Sequence, residues 1–202
     1  MKYLFVIILA IFILGGGYWY LNRSTEPALG SGPVIAFGDS LTKGTGSTPG
    51  HDFVSRLSAA TGREIQNQGE NEDTTAGALV RLDNILQEKP SLVIVFLGGN
   101  DVLQGVSSDQ TLMNISQIVS LIRASGAKVL LLGLGPIGPE SAHISSGLER
   151  IAKENSARYI PDVLSGIEGN PSFMSDEVHP NDAGYAIIAE RVRPEFSKMT
   201  VK

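Results

Sequence analysis

Three short strings hold side chains whose types can run an acyl transfer between them: Gly38-Asp39-Ser40-Leu41, Gly98-Gly99-Asn100-Asp101 and Asp176-Glu177-Val178-His179-Pro180. Ser40 offers a hydroxyl, a weak nucleophile unless a base removes its proton. The chain has three histidines, so the search for that base is short. His51 and His143 stand in polar stretches with no carboxylate at a recognisable spacing, which reads as surface placement. His179 precedes Pro180, and a proline keeps the residue before it out of the helical region, here in an extended loop. Asp176 lies three residues back across a tight turn, within reach of the imidazole Nδ1–H. Such a contact fixes the tautomer and leaves Nε2 to take the serine proton. Asn100 adds an uncharged N–H₂ donor, which stabilises an oxyanion without protonating it, and the glycines beside it allow close backbone approach. Taken singly, each string has a plainer reading: a turn carboxylate, a loop histidine, an Asn-Asp turn after a strand. A metal held by Asp176 and His179 would need further ligands, and the surrounding sequence offers none in a recognisable pattern.

Residues so far apart need a scaffold that gathers them at one edge. Val34-Ile35-Ala36-Phe37 is an apolar run that stops abruptly at Gly38, and such a run reads as a buried parallel strand. In open α/β sheets, ligands gather at the carboxyl ends of strands, where Ser40 then sits. Further strand patterns follow at 64–68, which is weak, at 91–98, the strongest in the chain, and at 127–133 and 157–161. Between them run helical spacings: Phe53, Leu57 and Ala60, stopped by Gly62; Leu79, Leu82 and Leu86 behind a cap at Asp73 or Thr74; Leu112, Ile115, Val119 and Ile122; Ile144, Leu148 and Ile151. Tyr185, Ile188, Val192 and Phe196 stripe a last helix. Strands alternating with helices imply parallel βαβ units, and five of them a three-layer α/β/α sandwich.

GDSL after the first strand, GGND after the third and DxxHP before the last helix resemble, in order and context, the SGNH (GDSL-type) hydrolase superfamily. The resemblance spans about residues 33 to 195 and is nearest to the bacterial thioesterase I/lysophospholipase L1/arylesterase branch. It implies a flavodoxin-like sheet of order 2-1-3-4-5 and a serine esterase that needs no cofactor and no metal. By that resemblance Ser40 is the nucleophile, His179 the base and Asp176 its orienting partner. Asn100 and the Ser40 backbone N–H are oxyanion donors. One position departs. The family usually has a glycine just before the Asp-Thr that opens the second helix, and its N–H is the remaining oxyanion donor. Here that position is Glu72, while Gly69 matches a different, upstream glycine. Any residue but proline keeps the N–H; a carboxylate facing the site would repel anionic substrates and stabilise an imidazolium, whereas one facing solvent would do neither.

The 202 residues suit one domain with an appendage. Residues 3 to 21 carry no charge, follow Lys2 and end in an aromatic cluster, long enough for a helix to span a hydrocarbon layer. A cleaved signal peptide is the competing reading, but no A-x-A pattern follows the apolar run, which favours a retained anchor. Lys2 and the terminal amine would hold the N-terminus in the cytoplasm and put the domain on the outer, periplasmic side of a bacterial inner membrane. Residues 22 to 32 read as a linker and 33 to 198 as the hydrolase domain. The absence of cysteine excludes a disulfide framework, a thiolate metal site and a cysteine nucleophile. Setting aside Lys2, Arg23 and Glu26 leaves 14 basic against 20 acidic residues, a net of −6 that argues against nucleic-acid binding. A monomer acting on a small ester or thioester is expected. Three functions stay open: a lipid-side esterase, lysophospholipase or thioesterase, suggested by the anchor and by Leu134, Pro136 and Ile137; a carbohydrate or cell-wall O-deacetylase, which would want a small acyl pocket; and an anchored binding module without catalysis, against which the intact Ser40, Asp176 and His179 stand.

Overall fold

The computed structural model describes residues 29–135 and 140–200. The expected anchor, residues 22–28 of the linker, and Pro136 and Ile137 lie outside them. Among the described residues, no helix is long and apolar enough to cross a membrane.

Five strands, β1 (Val34–Gly38), β2 (Gln66–Gly69), β3 (Leu92–Phe96), β4 (Lys128–Leu132) and β5 (Arg158–Ile160), form one sheet of order β2-β1-β3-β4-β5. Every pairing is parallel. Seven described helices accompany it: α1 (Ser40–Lys43), α2 (Phe53–Thr61), α3 (Thr75–Gln87), α4 (Gly99–Leu103), α5 (Ser108–Ala124), α6 (Ser141–Glu154) and α7 (Asp182–Thr200). Side chains alternate across a strand, so a strand covered on both faces must be apolar throughout. In β1 and β3, Val34, Ala36, Leu92, Ile94 and Phe96 join a core with α2 and α7, while Ile35, Phe37, Val93 and Val95 join a second core with α3, α5 and α6. That division makes the α/β/α sandwich. Each buried Leu, Ile, Val or Phe contributes roughly 1.5–3 kcal/mol, so the two cores supply most of the driving force.

The stripe of α7 lies as its spacing predicts, with Tyr185, Ile188, Val192 and Phe196 fully buried. The α5 stripe of Leu112, Ile115, Val119 and Ile122 is buried as well, as are Leu148 and Ile151 of α6; α2 and α3 bury the expected Phe53, Leu57 and Leu82, but part of their core faces falls on neighbours of the expected positions. Val54 is buried in α2 while Ala60 is exposed, and Ala78 and Ile85 face the core of α3 while Leu79 and Leu86 are only partly buried. The second strand runs over 66–69 instead of 64–68, because Gly69 pairs with Gly38 and the strand's end is set by its partner. Thr74, the second of the two expected caps, closes α3 by accepting from the Gly77 N–H at 3.2 Å. Leu29 packs against the first core, and Ser91 Oγ donates to the Gly32 carbonyl at 2.7 Å, tying the start of the described chain to the start of β3.

After β1 the chain steps outward to β2, then returns to β3 on the other side of β1. The carboxyl ends of β1 and β3 therefore flank the point where winding reverses, and a crevice opens there. Ser40 follows one strand and Asn100 the other.

Candidate active site

Ser40 opens α1, directly behind β1. Its presentation depends on Gly38: a Cβ there would collide with Thr42 Oγ1 and the Phe96 carbonyl, so a side chain would push α1 off the strand. Asp39 caps α1 by accepting from the Leu41 N–H at 3.0 Å. Asp39 is only 2% exposed, and burial, reinforced by the charges of Asp73 and Asp101, pushes its carboxyl up to about 7 against the opposing pull of the Leu41 N–H.

His179 approaches from a loop of very different character. Its Nε2 lies 3.0 Å from Ser40 Oγ, and its Nδ1 lies 2.9 and 3.1 Å from the two Asp176 oxygens. Asp176 Oδ1 also accepts the backbone N–H of His179 at 2.7 Å and of Val178 at 2.8 Å. Those two donors, with the imidazole next, hold its carboxyl down at about 2. The turn is closed behind: the His179 carbonyl accepts from Ser175 N at 2.8 Å and Ser175 Oγ at 3.0 Å. Asn181 then caps the start of α7 by accepting from Ala183 and Gly184. Gly46, at φ +93°, lets the 44–47 loop lie against the His179 Cβ and the Pro180 carbonyl. His179 is thus fixed by its own neighbours in sequence and by one passing loop.

The opposite side of Ser40 is assembled from distant pieces. The Glu70 N–H donates to the Gly38 carbonyl at 3.0 Å, setting the 70–73 turn beside the end of β1. Within that turn Glu72 is exposed and holds φ +62°. Among the described residues, the N–H groups of Ser40 and Glu72 donate to no backbone or side-chain acceptor. Asn100 Nδ2 donates to the Asp73 carbonyl at 2.9 Å, which orients the amide and leaves its second N–H uncommitted. Asp101, 1% exposed, accepts from Thr75 N at 2.9 Å and from Thr75 Oγ1, and Asn114 donates to that hydroxyl at 2.9 Å. A buried polar cluster of this kind holds the start of α3 against α4 and α5.

The structure therefore brings together Ser40, His179 and Asp176, and sets Asn100 against the turn that carries Glu72. It keeps His51 and His143 apart from them. His51 is exposed, 3.0 Å from Thr48 Oγ1. His143 has a carboxylate after all, with Asp109 2.9 Å from Nε2; that partner is 34 residues away, beyond the reach of any local spacing. Asp101 and the burial of Asp39 carry no signal in the sequence beyond adjoining Asn100 and Ser40. Among the described residues, no group of three or more His, Cys, Asp or Glu is arranged to hold a metal ion.

Beside Ser40 lies a cavity of about 110 Å³ lined by Leu41, Leu103, Leu134, Leu164 and Met174, with Glu168 and Glu177 among its walls. A larger open groove, about 540 Å³, runs between α5 and α6 past Met113 and Leu121, but takes no residue from the strings around Ser40, Asn100 and His179. A hydroxyl hydrogen-bonded to an imidazole, itself oriented by a carboxylate, can attack a carbonyl, and uncommitted N–H groups such as those of Ser40, Glu72 and Asn100 are donors of the kind that hold the resulting charge.

The family described as GDSL-like Lipase/Acylhydrolase matches residues 36–187. Esterase TesA of Pseudomonas aeruginosa is 34% identical over 177 residues, covering 82% of this chain and 88% of that protein. Thioesterase 1/protease 1/lysophospholipase L1 of Escherichia coli K12 is 27% identical over 181 residues, 86% of this chain and 87% of its own. A crystal structure of TesA superposes with a TM-score of 0.75 at 31% identity, covering 83% of this chain and 99% of that one. With its fold, its site geometry and three quarters of its length in agreement, the chain belongs to the GDSL-like lipase/acylhydrolase family and is an enzyme that hydrolyses esters.

Proposed function

We propose that hydrolysis proceeds through an acyl-enzyme on Ser40, with His179 as base and Asp176 as the group that orients it. The observation that carries this reading is the unbroken path of hydrogen bonds from Ser40 Oγ through His179 to Asp176, 3.0 and 2.9 Å long. Neutral His179 takes the hydroxyl proton as Ser40 attacks, and Asp176 stabilises the imidazolium. The tetrahedral oxyanion is held by the Ser40 N–H, the free N–H of Asn100 and the Glu72 N–H. His179 protonates the departing alcohol or thiol, then activates the water that releases the acid. Because backbone N–H groups hold the Asp176 carboxyl down at about 2, its charge is in place throughout the acidic limb of activity.

The acyl group enters the cavity beside Leu41. At about 110 Å³ it is well below the roughly 300–1,000 Å³ of drug-sized ligand sites, which favours a short acyl chain. Aryl esters and thioesters, the substrates for which the relatives are named, are the compounds to try first. The same small cavity supports an O-acetyl esterase as the second reading. Residues 3–21 would tether the domain to the outer face of a membrane.

A fluorophosphonate should label the protein stoichiometrically, with the adduct on Ser40 and no adduct in Ser40→Ala. Unlabelled wild-type protein would overturn the reading. A p-nitrophenyl ester series should peak at acetyl to butanoyl; a peak at long chains would show that the cavity opens beyond its walls here. Full-length protein should resist carbonate extraction from membranes, and a form starting near Gly30 should be soluble and active. A natural soluble form beginning near Tyr18 would instead mark a cleaved signal.

A further inference from the structure

We propose that Arg81 is a positioning residue for this reaction: through Asp73 it holds the turn carrying the Glu72 N–H and fixes the Asn100 amide. This rests on the acyl-enzyme reading above. Arg81 lies on α3, and its side chain is 13% exposed. Its guanidinium stacks over the Phe37 ring, 4.3 Å from the centroid. Nε donates to Asp73 Oδ2 at 2.8 Å and Nη2 lies 2.7 Å from the same oxygen. Nη1 donates to the Gln68 carbonyl at 3.0 Å, and Nη2 to the Gly38 carbonyl at 2.9 Å. One side chain therefore ties the end of β1, two residues before Ser40, to the end of β2 and to the residue after Glu72.

Asp73 is held at both of its ends. Its carboxylate is taken by Arg81 and its carbonyl by Asn100 Nδ2, so a shift of Asp73 moves the Asn100 amide directly. Burial raises the Asp73 carboxyl, and the Arg81 hydrogen bond and charge oppose that rise and favour the ionised partner. The turn also needs holding, because Glu72 keeps φ +62°, a conformation that an L-residue retains only when its surroundings enforce it. A planar fork meets acceptors in three directions, which a lysine ammonium cannot do from one place. Without Arg81 the turn relaxes, the Glu72 N–H leaves its place, and the Asn100 amide loses its fixed orientation. Donors aimed at charge that develops only in the transition state act on kcat with little effect on KM.

The test compares R81M, R81K and D73N with wild type, in the presence and absence of N100A, with kinetics referred to folded protein by circular dichroism. R81M is expected to lower kcat ~10–100-fold with KM within about twofold, since misplacing a catalytic group by about 1 Å costs up to ~100-fold. A trifluoromethyl ketone should bind more weakly by a similar factor. R81K should recover part of the loss, keeping the Asp73 ion pair without the carbonyl contacts. In the N100A background the R81M factor should shrink at least threefold, because the two changes damage one device. The proposal is overturned if R81M keeps kcat within twofold per folded molecule, if only KM moves, or if its factor is the same with and without N100A. Should R81M fail to fold, R81K and D73N, each expected at ~3–10-fold, are judged by the same non-additivity. Fluorophosphonate labelling separates the two levels: unlabelled wild type sinks the acyl-enzyme reading, whereas labelled wild type with unchanged Arg81 variants sinks only the positioning role.

Discussion

Two aspartates flank Ser40 and are held in opposite ways. Asp176 is half exposed on a loop, and backbone N–H groups one and two residues on from its neighbour draw its carboxyl down to about 2. Asp39 is buried beneath Ser40, beside Asp73 and Asp101, and is pushed up to about 7. The first belongs to a side of the site built from five consecutive residues, 175 to 179. The second belongs to a side built from the ends of β1, β2 and β3 and the start of α3, where Asn100 meets Asp73 and Asp101 meets Thr75. A proton relay can be made locally, because a turn suffices to aim a carboxylate at an imidazole. On the proposed reading the oxyanion donors come instead from separate elements, the start of α1, the turn after β2 and the start of α4 behind β3, and the buried carboxylates of Asp39, Asp73 and Asp101 lie among them.

The largest effects should separate the two sides. Ser40→Ala or His179→Ala should leave folding intact and lower kcat by on the order of 10⁴ or more, and the double variant should be little worse, because the pair acts as a unit. Single-turnover and steady-state assays on p-nitrophenyl acetate would measure this, and a variant retaining a tenth of wild-type activity would break the assignment. Asn100→Ala should cost ~10²–10³ in kcat with KM nearly unchanged. A rise in KM at constant kcat would make Asn100 a ground-state contact and erase the distinction between the two sides.

The next effect concerns stability and its sign with pH. Between the ordinary carboxylate range and about 7, folded Asp39 keeps a proton that the unfolded chain has lost, so its contribution to stability declines as pH rises across that window. Asp39→Asn keeps the cap on the Leu41 N–H and removes the titration. Relative to wild type, the variant should gain stability as pH rises from 5 to about 7, by roughly 1.4 kcal/mol per pH unit, and level off above that. Asp176 runs the other way: its contribution is present above the ordinary carboxylate range and lost as pH falls through about 2. Urea unfolding of both proteins at several pH values checks the sign, and parallel curves would show that Asp39 is better solvated than its burial implies.

The same division explains what the sequence could say. The number and parallel type of the strands, the stripes of α5 and α7 and the Asp176–His179 turn follow from periodicities or from contacts three residues apart, whereas the order of the strands in the sheet comes only through the resemblance to a family. In α2 and α3, Phe53, Leu57 and Leu82 are buried as their spacing predicts, whereas Val54, Ala78 and Ile85 join cores shared with neighbouring elements, which the spacing within one helix does not show. Asp101, Arg81 and the pairing of His143 with Asp109 rest on partners 8 to 43 residues away, which only the closed sheet brings near. Glu72 stood out only through the resemblance to a family, and the reason for the usual glycine is now visible in its backbone, at φ +62°.

Glu72 gives the smallest and sharpest comparison, because one substitution tests a side chain and a backbone angle together. Its carboxylate is exposed and pairs with no cation among the described residues, so its field at the site is that of a charge in water, screened within about 8 Å at physiological salt. Glu72→Gly should therefore leave the acidic limb within a few tenths of a pH unit and change kcat/KM by no more than about threefold. The backbone is another matter. A left-handed conformation costs an L-residue roughly 1–2 kcal/mol, and glycine escapes it but loses about 0.5–1 kcal/mol to its freer unfolded chain. The net expectation is a gain between about zero and about 1.5 kcal/mol for the glycine variant, read as a higher urea midpoint with unchanged slope. A shift of the acidic limb to lower pH, with anionic thioesters helped more than neutral esters, would instead put the carboxylate over the imidazole and show that this chain's departure from its family's glycine tunes the reaction.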